Sequence, residues 1–92
     1  MKTGIEIIAE ERQRQIDGEG FTAEKDQLYT IDQLAWAAAS YALPPNSSTR
    51  SFKRTHLWPW DPNTWKPSED RVRELAKAGA LIAAEIDRLQ NL

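Results

Sequence analysis

Ninety-two residues, a formal net charge of −2 and no cysteine define one small domain, residues 1–92, that no disulfide or thiolate zinc site can reinforce. Such a charge balance argues against a binder of nucleic acid polymers, which is normally basic overall. Oligomerisation is the remaining common way to stabilise so small a scaffold. The opening MKTGIEIIAEERQRQ carries no long apolar run, and no stretch approaches the roughly 18 apolar residues of a membrane span. A cytoplasmic protein with no membrane partner is expected.

In chain order, the first helix is predicted over about 4–17. Thr3 and Glu6 have capping-box spacing, and Gly18 and Gly20 follow as terminators. Ile5, Ile8, Arg12 and Ile16 share a face. Arg12 among isoleucines either snorkels or pairs with a carboxylate, or points into a cleft to hold an anion. A polar connection, Gly18 to Tyr29, is anchored by Phe21. A second helix, about 31–43, opens near Thr30 with Gln33 in capping-box register and is stopped by Pro44 and Pro45. It is apolar on nearly all sides, the pattern of a buried central helix.

Residues 44–67 form a long loop rich in tryptophan and proline. About 24 irregular residues in a small domain mark a functional or disordered segment. Asp61, Pro62 and Asn63 read as a turn. The third helix, about 68–91, opens at Ser68 as N-cap. Val72, Leu75, Gly79, Ile82, Ile86 and Leu89 follow steps of three, four, three, four, three, the spacing of a helix–helix seam. Arg71, Arg73, Lys77 and Arg88 are expected on its solvated face. The fold class is therefore all-α, three helices, with the seam and the two-sided second helix favouring a homo-oligomer.

Chemistry concentrates in the loop. Trp58, Trp60 and Trp65 lie within eight positions, beside Arg50, Lys53, Arg54, His56 and Lys66. Indoles stack on nucleobases, and basic side chains neutralise phosphates. With Arg12 or Arg71 these residues suit a small anionic aromatic ligand such as a nucleotide; the bland alternative is that the tryptophans only staple the loop to the helices. His56 is the sole histidine and makes no metal site alone. Glu6, Glu10 and Glu11 lie on helix one. Leu34 to Leu43 holds no acid, so the second wall of a magnesium site is missing. No cofactor, metal or catalytic residue is assigned.

Ile8 to Gln15 (I-x-x-E-R-x-R-Q), the alanine-rich Leu34 to Ala42, Trp58-Pro59-Trp60, Trp65-Lys66-Pro67 and Lys77 to Leu89 resemble, in that order, a group of small helical proteins common in phages and prophages. That group often carries H-D-D before helix two, where this chain has Lys25-Asp26-Gln27. The opening helix also resembles that of phage MazG-like nucleoside triphosphate pyrophosphohydrolases, all-helical enzymes that hold magnesium with paired acids on facing helices. The resemblance implies a phage-type protein in the host cytoplasm. The first expectation is a non-catalytic binder that sequesters a nucleotide immune signal. The alternatives are a pyrophosphohydrolase using Glu10 and Glu11, and an interaction module that blocks a host protein.

Overall fold

The computed structural model describes residues 1–19, 32–45 and 57–90. Among these residues the regular elements are α1 (Gly4–Glu19), α2 (Gln33–Ala42), a 3-10 turn (Pro62–Thr64) and α3 (Arg71–Leu89), with no strand. The protein is a small all-α domain. Its Cα radius of gyration, 12.8 Å, matches the roughly 12 Å of a compact chain of this length.

The predicted capping box starts α1: Thr3 N–H donates to Glu6 Oε1 at 2.8 Å, and Glu6 N–H to Thr3 Oγ1 at 3.3 Å. The Thr3 backbone N–H, helped by the Thr3 side chain, holds the Glu6 carboxyl below its ordinary range. The helix passes through Gly18 and reaches Glu19. Asp32 precedes α2 in the left-handed conformation (φ 57°) without a side-chain cap, a backbone that a short polar residue tolerates. Asp70, rather than Ser68, caps α3, accepting from Val72 and Arg73 N–H. Ser68 N–H instead donates to the buried Glu74 carboxylate at 3.0 Å. Phe21, Thr30 and the connection from Gly20 to Tyr29 lie outside the described residues.

The core joins α2 to α3. Leu34, Ala37, Ala38 and Tyr41 meet Ala78, Leu81 and Ala84, and Trp58, Trp60 and Trp65 pack on that cluster. Alanines on both sides let the two backbones approach closely. α1 crosses α3 at Gly79, where an added Cβ would fall 2.6 Å from Ile8 Cδ1.

One expectation about α3 is reversed, that of its solvated face. Val72, Leu75, Ile82, Ile86 and Leu89, the predicted seam, are 46–67% exposed in the protomer. Arg71, Lys77 and Arg88, expected in solvent, face the core side. Their partners are the reason. Arg71 donates to the carbonyls of Tyr41 and Ala42 and pairs with Glu74, satisfying acceptors that the end of α2 leaves open. Arg88 pairs with the buried Glu85 at 2.6 Å and with Asp32 beside the start of α2. Thus the polar side of α3 clamps α2 at both ends, and the bulkier apolar side is left outward. Nor is α2 covered all round, since Trp36 is 52% exposed.

Candidate ligand-binding site

The loop after α2 is built on Asp61. Its side chain accepts from Asn63 N–H at 2.9 Å, its carbonyl accepts from Thr64 N–H at 2.8 Å, and Pro62 presets the turn. The same turn fixes Trp58, whose Nε1–H donates to Thr64 Oγ1 (2.9 Å) and to the Asp61 carbonyl (3.1 Å). Trp58 is buried and meets Tyr41 edge-on, with centroids 5.4 Å apart and planes at 75°. Trp60 meets the other side of Trp58 at 5.1 Å and 84°. Trp65 lies nearly parallel to Tyr41, and its Nε1–H donates to Ser40 Oγ at 3.2 Å. The loop is therefore stapled to α2 by two indoles with satisfied N–H groups.

Trp58, Trp60, Tyr41 and Thr64 form one wall of a cavity of about 450 Å³. α1 adds Arg14 and Gln15, the loop adds Lys66, and α3 adds Arg73, Lys77 and Leu81. Four of these side chains are cationic, and no carboxylate is among the described lining residues. The arginines are set by Glu11, which is 6% exposed and accepts from Arg14 Nε at 3.0 Å while pairing with Arg73 Nε at 3.2 Å. Lys77 Nζ lies 5.4 Å from the centroid of Tyr41 and donates to the Lys66 carbonyl at 2.9 Å. Lys66 N–H donates in turn to Tyr41 Oη at 3.0 Å. Gln15 is 2% exposed, and its Oε1 has no hydrogen-bond partner among the described residues.

Of the candidates named from sequence, Trp58, Trp60 and Lys66 line this cavity. Trp65 stands behind Tyr41 as part of the packing. Arg12 is turned elsewhere: its side chain is 12% exposed and pairs with Asp87 at 3.5 Å. Arg50, Lys53, Arg54 and His56 lie outside the described residues, as does Lys25-Asp26-Gln27. The cavity also uses Arg14, Gln15, Tyr41, Thr64, Arg73 and Lys77, which were not candidates. Arg14 and Gln15 close the I-x-x-E-R-x-R-Q segment, and that position was the available signal. Among the described residues no group of three histidine, aspartate or glutamate side chains could hold a metal ion, and no helix is long and apolar enough to cross a membrane.

Comparison with known proteins found no matching family model, no similar curated protein and no similar solved structure.

Proposed function

We propose that the chain binds a small anionic aromatic ligand of the nucleotide class in the cavity between Trp60, Arg14 and Lys77. One observation carries the reading: a single cavity joins an aromatic wall to four cations with no described carboxylate in its lining. Its volume falls within the roughly 300–1,000 Å³ of ligand pockets. Cations there suit phosphate oxygens, and the indole edge and face suit a base. Gln15 supplies a buried amide whose acceptor a ligand N–H or O–H would satisfy. Each of the five segments that carry the phage-protein resemblance supplies a lining residue. By that resemblance the role is sequestration of a nucleotide signal without conversion.

The test compares the parent with Trp60→Ala and Gln15→Met, using equilibrium dialysis of nucleotides and thermal melts. Loss of a stacking indole costs about 1–3 kcal/mol, so Trp60→Ala should weaken binding about tenfold or more. Gln15→Met keeps the volume and removes an orphaned buried acceptor. It should also lose affinity, yet gain about 1 kcal/mol of stability, or roughly 4–8 °C in Tm. Parental affinity in both folded variants would refute the site.

A further inference from the structure

The lining of the cavity is graded in depth. Gln15, Leu81, Tyr41 and Trp58 are 2–8% exposed and form its floor. Arg14 and Arg73, with side chains 42% and 46% exposed, and the exposed Lys66 and Thr64 form its mouth. Lys77 stands between, tied to the Lys66 carbonyl and the Tyr41 ring. The floor residues carry no charge, and two of their polar groups are engaged. Trp58 Nε1–H donates to Thr64 Oγ1 and the Asp61 carbonyl, and Tyr41 Oη accepts from Lys66 N–H. Gln15 is the exception, with an Oε1 that has no partner among the described residues.

We propose, resting on the nucleotide reading above, that the ligand enters base first. The edge of the base farthest from the sugar meets the Gln15 amide, and the phosphates stay at the mouth with Arg14, Arg73 and Lys66. Burying a charged phosphate against an uncharged floor costs far more than burying a base, whose faces are apolar and whose edge is polar. The amide turns about its last bond and offers that edge an acceptor or a donor. At the mouth, Glu11 fixes both guanidiniums, and half-exposed cations suit phosphate oxygens that keep part of their water. Gln15 is therefore the residue that determines specificity. The site discriminates at the base and leaves the phosphate end open, so its ligands include nucleotides extended beyond their phosphates.

Equilibrium dialysis of the adenine, guanine, cytosine and uracil nucleoside triphosphates tests this. Each is used unmodified, with a benzyl group on the exocyclic nitrogen or oxygen of the base, and as the benzyl ester of its terminal phosphate. For whichever triphosphate binds, base benzylation should weaken binding at least about tenfold, because it overpacks the floor. Esterification should change binding by no more than about threefold, as expected for exposed ion pairs. Gln15→Ala opens the floor and should narrow or reverse the gap between the base-benzylated and unmodified forms. Thermal melts establish that the variant is folded, and Gln15→Ser takes its place if it is not. Equal binding of base-benzylated and unmodified forms, loss of binding on esterification, or an undiminished gap in a folded Gln15 variant would overturn the orientation while leaving nucleotide binding intact. Failure of every unmodified triphosphate to bind would overturn the nucleotide reading, and the orientation with it.

Discussion

Gly79 holds its place because Ile8 occupies the space that a side chain would need. An ideal Cβ there would stand 2.6 Å and 2.8 Å from Ile8 Cδ1 and Cγ1. Two terms compete in Gly79→Ala: about 0.5–1 kcal/mol gained from helix propensity, and about 1–3 kcal/mol lost to overpacking. The second should win, giving a net loss near 1 kcal/mol. In an Ile8→Ala background the clash is gone, and the same substitution should become stabilising. Urea midpoints of the four proteins check this; equal effects in both backgrounds would contradict it. A second residue-scale test concerns Glu85. Hydrogen bonds from Arg88 are the main cause that holds its carboxyl below the ordinary 4.5; burial opposes the shift, and the attraction of Arg88 and a hydrogen bond with Asp32 reinforce it. A carboxyl depressed in the folded state stabilises above its unfolded value, and that contribution is lost as pH falls below about 4.5. Glu85→Gln should therefore be less stable than the parent at pH 7, with the gap closing in acid. A gap that stays constant between pH 7 and pH 3 would contradict the ion pair.

At the scale of elements, the sequence made the helices legible, but not the way α3 turns. The capping box of Thr3 and Glu6, the stop at Pro44 and the long third helix all depend on neighbours within a few residues, and each is present, with α3 starting at Arg71 behind Asp70 rather than at Ser68. The orientation of α3 depends on what lies opposite. An apolar stripe states that a helix has a partner, not which one, and here the alanine-rich α2 takes the side of Ala78, Leu81 and Ala84. Arg71 and Arg88 look like surface charges in the sequence because their acceptors, the carbonyls of Tyr41 and Ala42 and the carboxylate of Asp32, are more than 25 residues away. The cavity was legible only in its tryptophans and one lysine, for the same reason. Trp58, Trp60 and Lys66 stand out by composition and proximity. Arg14, Gln15 and Lys77 read as ordinary polar positions until α1 and α3 are placed around Tyr41, and a glutamine that is 2% exposed has no local signature.

In the whole molecule, α1, the tryptophan loop and α3 meet around one end of α2, and the cavity needs all of them. α1 supplies Arg14 and Gln15, and the loop supplies the indoles. α3 supplies Arg73 and Lys77, with Glu11 holding two of the cations in place. Such a site belongs to the folded tertiary structure rather than to any segment, so its occupant should be a ligand that touches aromatic and cationic groups at once. The most direct measurement is a mass balance. The pure protein is incubated with linear and cyclic nucleotides and magnesium and passed over a membrane that retains it; the retained fraction is heat-denatured, and the released material is identified by chromatography. Retention of a nucleotide and its recovery intact is the result predicted for a binder that sequesters its ligand. Passage of every nucleotide through the membrane unchanged, or recovery of a hydrolysed product, would contradict it.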